Sequence, residues 1–401
     1  MPGNLFALFQ SRFPADRSRP FIVVPDGATL SYADLEARSA QFAHVLVANG
    51  VKPGDRVAVQ VDKSPEAIFV YLACLRAGAV LLPLNTAYQP DELAFFLSDA
   101  APAAVICQPA REAQLGGIVA RTGITATLLT LGADGSGTLV AQAAAMPAEF
   151  ATLERVGTEI ASILYSSGTT GRPKGAMMSH DNLAANALTL HKLWGWRDGD
   201  VLLHALPIFH THGLFVATNC VLLNGTPMIF CAKFDAEQVL DLLPQASVFM
   251  GVPTFYTRLL ASPRLGPDSC RSMRLFISGS APLLAETFNE FAARTGHTIL
   301  ERYGMTEGGM FTSNPLVGAR KAGTVGPALP DMDVRVTDDE GRVLPRGEVG
   351  GIEVKGPNVF VGYWNMPEKT KAEFTADGFF KTGDVGVIDP EGYVSIVGRA
   401  K

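Results

Sequence analysis

The apolar run Ala161-Ser162-Ile163-Leu164 opens without a break into Tyr165-Ser166-Ser167-Gly168-Thr169-Thr170-Gly171-Arg172-Pro173-Lys174-Gly175. That junction constrains the fold more than any other segment. A β-type run leading into three glycines, four serine and threonine hydroxyls and a lysine is how a sheet presents backbone N–H groups to a polyphosphate. Glycine lets the backbone turn and approach an anion closely, and the hydroxyls and Lys174 add donors. The spacing is not Gly-x-x-x-x-Gly-Lys-Ser/Thr, in which the lysine opens a helix. Here Lys174 stands between Pro173 and Gly175, so it is expected to ride on the loop. The pattern points to a different class of ATP chemistry.

A chain of 401 residues is long enough for more than one core, and two or three α/β units are expected. With 47% hydrophobic and 18% charged residues it reads as a well-buried globular chain. A net charge of −6 supplies no basic face for nucleic acid. Cys74, Cys107, Cys220, Cys231 and Cys270 are odd in number, scattered and mostly in apolar runs, as reduced core thiols of a cytoplasmic protein are. The N-terminus Met1-Pro2-Gly3-Asn4 has neither the basic region nor the apolar core of a targeting signal. The apolar stretch from Ala67 to Leu84 is interrupted by Arg76, Gly78 and Pro83, so it reads as a buried helix followed by a buried strand, not a membrane span. No protein partner is evident.

The first part of the chain alternates strand and helix patterns, as in a layered α/β sheet. Ser31 can cap a helix with Leu35, Phe42, Val45 and Leu46 on one face, ending near Gly50. Ser64-Pro65-Glu66 supplies an N-cap, an N1 proline and a first-turn acid, with Gly78 closing that helix. The glycines between Gly132 and Gly137 lack a strand-to-helix junction and read as a surface loop. From Asp331 onward short runs such as Val334-Arg335-Val336 and Tyr393-Val394-Ser395-Ile396 alternate with Glu340-Gly341, Asp377-Gly378 and Glu391-Gly392 turns. A small antiparallel β unit is expected there.

Four further segments carry chemistry. They are His204-Ala205-Leu206-Pro207-Ile208-Phe209-His210-Thr211-His212-Gly213, then Ser278-Gly279-Ser280-Ala281-Pro282, then Glu301-Arg302-Tyr303-Gly304-Met305-Thr306-Glu307, and finally Lys381-Thr382-Gly383-Asp384 with Gly398-Arg399-Ala400-Lys401 at the end. Each alone has an ordinary reading: Asp384 can close a turn, Tyr303 can be a core aromatic, and Glu307 can be a solvated acid. The three histidines within nine residues lack the i,i+4 helical spacing or the cysteine partners of a zinc site.

Together and in this order, the five motifs resemble the adenylate-forming superfamily: acyl-CoA synthetases, firefly luciferase and the adenylation domains of peptide synthetases. The resemblance covers nearly the whole chain. It implies an α/β fold of two layered subdomains (residues 1–155 and 156–325) and a β-rich one (326–397), which together form an N-terminal domain over residues 1–397. Residues 398–401 would begin a hinge to a C-terminal domain of on the order of 100 residues that lies beyond the sequence. It further implies that a carboxylate is joined to the α-phosphate of ATP, with Mg2+, and the acyl group is then passed to the thiol of coenzyme A. By this resemblance Ser166, Ser167, Gly168, Thr169, Thr170, Gly171 and Lys174 contact phosphates, and Ser280, Ala281, Pro282, Glu301 and Tyr303 form the adenine site. Asp384 and Arg399 meet the ribose, Thr306 the α-phosphate, and Glu307 the magnesium. His210, Thr169, Lys174 and Thr306 are the residues nearest the chemistry.

The acid pocket implied by the same resemblance contains His210, Thr211, Ser278, Arg302 and Met305. No acidic residue between His204 and Gly213 is present to hold an amino group, so an amino acid is not the expected substrate. Most acyl-CoA synthetases carry a small or apolar residue where this chain has Arg302. A guanidinium buried in an acyl pocket is costly unless an anion meets it, and its planar fork suits a carboxylate. The motif Glu-Arg-Tyr-Gly-Met-Thr-Glu, with His-Thr-His-Gly, looks like the malonyl-CoA synthetases, and a short dicarboxylic acid (malonate or methylmalonate) is the expected substrate. A protein carboxylate paired with Arg302 is the structural alternative, and another short-chain or aryl acid, or a simple ATP/AMP-binding module, are the functional ones.

Overall fold

A computed structural model describes residues 1–166 and 171–400. The chain divides into two compact units. The first comprises Met1–Ala184, Pro207–His210 and Phe360–Met366, and the second Ala185–Leu206, Thr211–Val359 and Pro367–Lys401.

Local signals set the helices of the first unit. Ser31 caps the helix Tyr32–Ala48 in a reciprocal box with Asp34, satisfying two end donors at once. Ser64 accepts from the Ala67 N–H, Pro65 opens the helix Pro65–Ala77, and Gly78 ends it at φ 72, a left-handed turn that costs glycine nothing. That helix is apolar almost all round because it is buried all round, Arg76 included. Arg76 is tolerated there because its Nη1 donates to the Glu36 carbonyl and Ser39 and its Nη2 to the Phe150 carbonyl.

The sheet of this unit runs, from one edge, Gly362–Tyr363, Lys174–Ser179, Ile160–Ser166, Val80–Pro83, Arg56–Gln60, Ala104–Cys107 and Thr127–Thr130. The last four are parallel to one another, and Ile160–Ser166 joins them parallel to Val80–Pro83. Buried on both faces, these strands read as continuous apolar runs rather than alternating ones. Lys174–Ser179 turns back antiparallel to Ile160–Ser166. The two strands flanking the glycine-and-hydroxyl segment are therefore antiparallel neighbours inside this sheet. Lys174 is the first residue of the returning strand, paired with Ser166, and does not ride on the loop as the sequence suggested.

Within the second unit, strands run in the order Gly309–Ser313, Leu300–Met305, Leu275–Ser278, Val248–Gly251, Leu202–His204 and Met228–Phe230. All neighbours are parallel except the first pair, a hairpin. A separate antiparallel sheet contains Asp333–Thr337, Gly350–Lys355, Phe380–Ile388 and Val394–Arg399. The expected class, two parallel-rich α/β layers and a small antiparallel β element, is what forms. All five cysteines are buried, and among the described residues none forms a disulfide. Among the described residues no helix is long and apolar enough to cross a membrane.

Candidate active site

In the first unit, the strands Ile160–Ser166 and Lys174–Ser179 flank the glycine-and-hydroxyl segment. Ser167, Gly168, Thr169 and Thr170 lie outside the described residues. The flanks are fixed by a residue that no motif pointed to. Asp99, near the C-terminus of the helix Pro90–Ala100, accepts from Tyr165 Oη at 2.6 Å and from Arg172 Nη2 at 3.0 Å. Its carbonyl accepts from Trp364 Nε1 and Asn365 Nδ2. The Arg172 guanidinium also lies over the Phe95 ring. One carboxylate thus grips the rising strand and the descending leg of the loop. Ser166 Oγ donates to the Lys174 carbonyl, and the Lys174 ammonium sits 4.9 Å from the centre of the Tyr363 ring. His210 is exposed, its ring edge-on to Phe209.

In the second unit the motif residues fall on three neighbouring features. Ser278 ends its strand, and Ser280, Ala281 and Pro282 form an exposed shelf beyond it. Ser280 holds φ 72, an uncommon state for a non-glycine residue and one that clusters at functional sites. Its hydroxyl is 3.2 Å from His212 Nδ1. His212 begins a π-helical segment, His212–Thr218, and His204 Nε2 is within hydrogen-bond distance of the Gly213 carbonyl and Thr218 Oγ1. Thr211 immediately precedes that segment.

Leu300–Met305 carries Glu301, Arg302, Tyr303 and Met305, and Thr306, Glu307 and Gly308 form the turn to Gly309–Ser313. Alternation along the strand sends consecutive side chains to opposite faces. Glu301 Oε2 accepts from the Leu283 N–H, so this carboxyl braces the far end of the shelf. Burial pushes its pKa up to about 7, with the Leu283 N–H and Arg302 opposing the shift. Tyr303 donates its hydroxyl to Asp384, and Asp384 Oδ1 accepts from Arg399 Nη1 at 2.9 Å. Burial, with the Asp384 charge, holds the Tyr303 phenol far above its usual range. Three residues drawn from two of the motifs thus form one hydrogen-bonded chain. Glu307 is buried at the hairpin turn, and its charge is felt by Arg399.

Arg302 is the least expected feature of this strand. It is only 3% exposed, and its Nε and Nη2 have no hydrogen-bond partner among the described residues. Burial pushes its pKa down to about 9, with Tyr256 and Glu301 acting the other way, so it stays charged at neutral pH. The Oγ of fully buried Ser278 is also without a partner among the described residues. Among the described residues no carboxylate is within hydrogen-bond distance of its Nε or Nη2, as the structural alternative raised by the sequence would require. Among the described residues no group of three or more His, Cys, Asp and Glu side chains is placed to hold a metal ion.

The chain is 32% identical to the malonate–CoA ligase of Arabidopsis thaliana over 434 residues, which cover 99% of this chain and 71% of that one. It is similar to ATP-bound MatB of Rhodopseudomonas palustris, at 56% identity and a TM-score of 0.97, covering all of this chain and 79% of MatB. A malonyl-CoA ligase solved as a ternary product complex with methylmalonyl-CoA and AMP is similar at 35% identity and a TM-score of 0.83, covering 98% of this chain and 81% of that one. Residues 9–364 match the family model for AMP-binding enzymes, and the chain belongs to that family.

Proposed function

We propose that this chain activates malonate, and that Arg302 is what selects it. The reaction has two steps. One malonate carboxylate oxygen attacks the α-phosphorus of ATP, forming the O–P bond of malonyl-AMP as the bond to pyrophosphate breaks. The sulfur of coenzyme A then attacks the anhydride carbonyl, and AMP leaves with the bonding pair. A carboxylate is a poor electrophile and its anhydride with AMP a good one, so the protein's task is positioning and charge stabilisation.

The single observation behind the substrate choice is the buried guanidinium with two nitrogens that have no hydrogen-bond partner among the described residues. Leaving a buried donor unsatisfied costs about 1–3 kcal/mol, more for a charged group. The second carboxylate of malonate, bound through Arg302, would satisfy it, with the Ser278 hydroxyl, unpartnered among the described residues, as a candidate further donor. A neutral acid would leave it orphaned. Malonate–CoA ligases and a methylmalonyl-CoA complex among the similar proteins support the same reading.

Roles for the remaining residues follow. Ser166 and Lys174, with the loop between them, would hold the distal phosphates. The shelf Ser280–Pro282, braced by Glu301, would carry adenine beside Tyr303, and Asp384 with Arg399 the ribose. Thr306 would meet the α-phosphate. Mg2+ would reach the protein through Glu307, whose hard oxygens suit it. That ion commonly takes one or two carboxylates and completes its shell with phosphates and water, so a lone buried acid fits. The chain covers 79% of MatB, and turnover is measured with it joined to the C-terminal portion of a relative. Five buried thiols support a reducing compartment, and we place the protein in the cytoplasm.

The test is thioester formation from acetate, malonate, methylmalonate and benzoate. Malonate should give the highest kcat/KM; a clear preference for acetate or benzoate would sink the assignment.

A further inference from the structure

Gly279 follows the strand Leu275–Ser278 at a point where no side chain would fit. A Cβ placed on it would lie 2.0 Å from Arg302 Nη1, 2.1 Å from Cζ and 2.5 Å from Nε. Ordinary contact between heavy atoms is about 3.5–4.0 Å. The guanidinium therefore rests directly on the glycine α-carbon. The pairing of the strands explains why: Ile277 lies opposite Leu300 and Ser278 opposite Glu301, which brings the next residue, Gly279, beside Arg302.

Glycine is not needed there for its backbone freedom. Gly279 is not among the residues with positive φ, whereas its neighbour Ser280 is, and is not glycine. Gly279 donates its N–H to the Gly251 carbonyl at 3.2 Å, an ordinary tie that any residue could make. What the position requires is space, and the group that fills the space is Arg302.

We propose that Gly279 is a specificity-determining positioning residue, whose bare α-carbon seats the Arg302 guanidinium for the far carboxylate of a dicarboxylic acid. The proposal rests on the reading that Arg302 receives that carboxylate. It adds that the preference belongs to a pair of positions, one supplying charge and the other its seat. An alanine at 279 would force the guanidinium aside by more than 1 Å if the contact is to reach about 3.5 Å. A misplacement of ~1 Å at a binding group can cost about a hundredfold in rate.

The experiment is Gly279→Ala, alone and combined with Arg302→Met, in the chain joined to a relative's C-terminal portion. The measured quantity is kcat/KM for acid-dependent ATP–pyrophosphate exchange with malonate and with butyrate, alongside AMP affinity and Tm. Gly279→Ala should lower malonate activity about a hundredfold and butyrate activity less than about threefold, with AMP affinity unchanged. In the Arg302→Met background it should cost nothing further on malonate, because there is no guanidinium left to displace. Equal losses on both acids, or an undiminished loss on malonate in that background, would overturn the proposal and make Gly279 a packing residue. If Gly279→Ala fails to fold, the added Arg302→Met should restore Tm, and failure to restore it would count against the contact. The underlying reading is judged separately: Arg302→Met alone must favour butyrate over malonate relative to the parent, and if it does not, that reading falls whatever Gly279→Ala does.

Discussion

Replacing Glu301 by glutamine should make the protein's stability less dependent on pH, by an amount the structure lets one work out. Glu301 is 6% exposed, and burial raises its pKa from 4.5 to about 7. Below pH 4.5 the carboxyl is protonated in folded and unfolded chains alike. Between 4.5 and 7 the folded chain holds a proton that the unfolded chain has lost, so stability falls as pH rises. Two and a half pH units at ~1.36 kcal/mol each make the loss about 3 kcal/mol, complete above pH 7. Glutamine is nearly isosteric with the neutral acid and still accepts from the Leu283 N–H, but it never ionises. The raw curve would conceal this, because buried His180, beside Arg155, works in the opposite sense. Its pKa is lowered to about 4, so its contribution to stability is lost as pH falls from 6.5 toward 4. The informative quantity is the difference between parent and Glu301→Gln in denaturant unfolding at a series of pH values. That difference should shift by about 3 kcal/mol in favour of the glutamine variant between pH 4.5 and 8. A difference that stays flat across that range would refute the argument that Glu301 is buried without an adequate counter-charge.

Two further predictions concern the nucleotide loop. Lys174→Ala should weaken ATP more than AMP in calorimetric titrations, since Lys174 is assigned to the distal phosphates; equal losses would contradict that assignment. Asp99→Ala, which frees both Tyr165 and Arg172, should raise the Kd for ATP about tenfold, equivalent to ~1.4 kcal/mol, and that for AMP less than about twofold. An equal effect on both nucleotides would mean that Asp99 supports the sheet and not the loop.

The local structure was legible where neighbouring residues decide it. The capping box at Ser31 and the Ser64-Pro65 start are satisfied within one helical turn, so a few residues announce them. Strand order was not legible. Gly362–Tyr363 pairs with Lys174–Ser179 from far downstream, and no periodicity within either segment states which partner it will take. The hairpin also explains why Lys174 was misplaced. The antiparallel register that makes it a strand residue is set by Ile160–Ser166 opposite it, while Pro173 and Gly175 on either side suggested a turn.

The site shows the same division. Arg302 was singled out by resemblance, standing where most acyl-CoA synthetases carry a small or apolar residue, and the structure adds that it is buried with two donors unmet among the described residues. Tyr303, Asp384 and Arg399 came from resemblance, but their shared hydrogen-bond chain depends on a contact 81 residues apart in sequence. Gly308 and Gly309, which no sequence argument placed, belong to the turn and strand start of the hairpin that carries Glu307. Asp99 belongs to no motif. Its one signal was an acid in the last turn of a helix, where the helix dipole disfavours it, and such a residue is kept for its contacts.

The central claim is that a buried arginine chooses the acid, and the most direct measurement is the change in substrate preference caused by Arg302→Met. Parent and variant, each joined to a relative's C-terminal portion, would be compared for kcat/KM with malonate and with butyrate, which is similar in length and lacks the second charge. Breaking a buried, hydrogen-bonded charge pair from one side costs about 3–5 kcal/mol, so the malonate-to-butyrate ratio should fall by roughly two to three and a half decades. A parallel loss on both acids, tracking a fall in Tm, would contradict the claim.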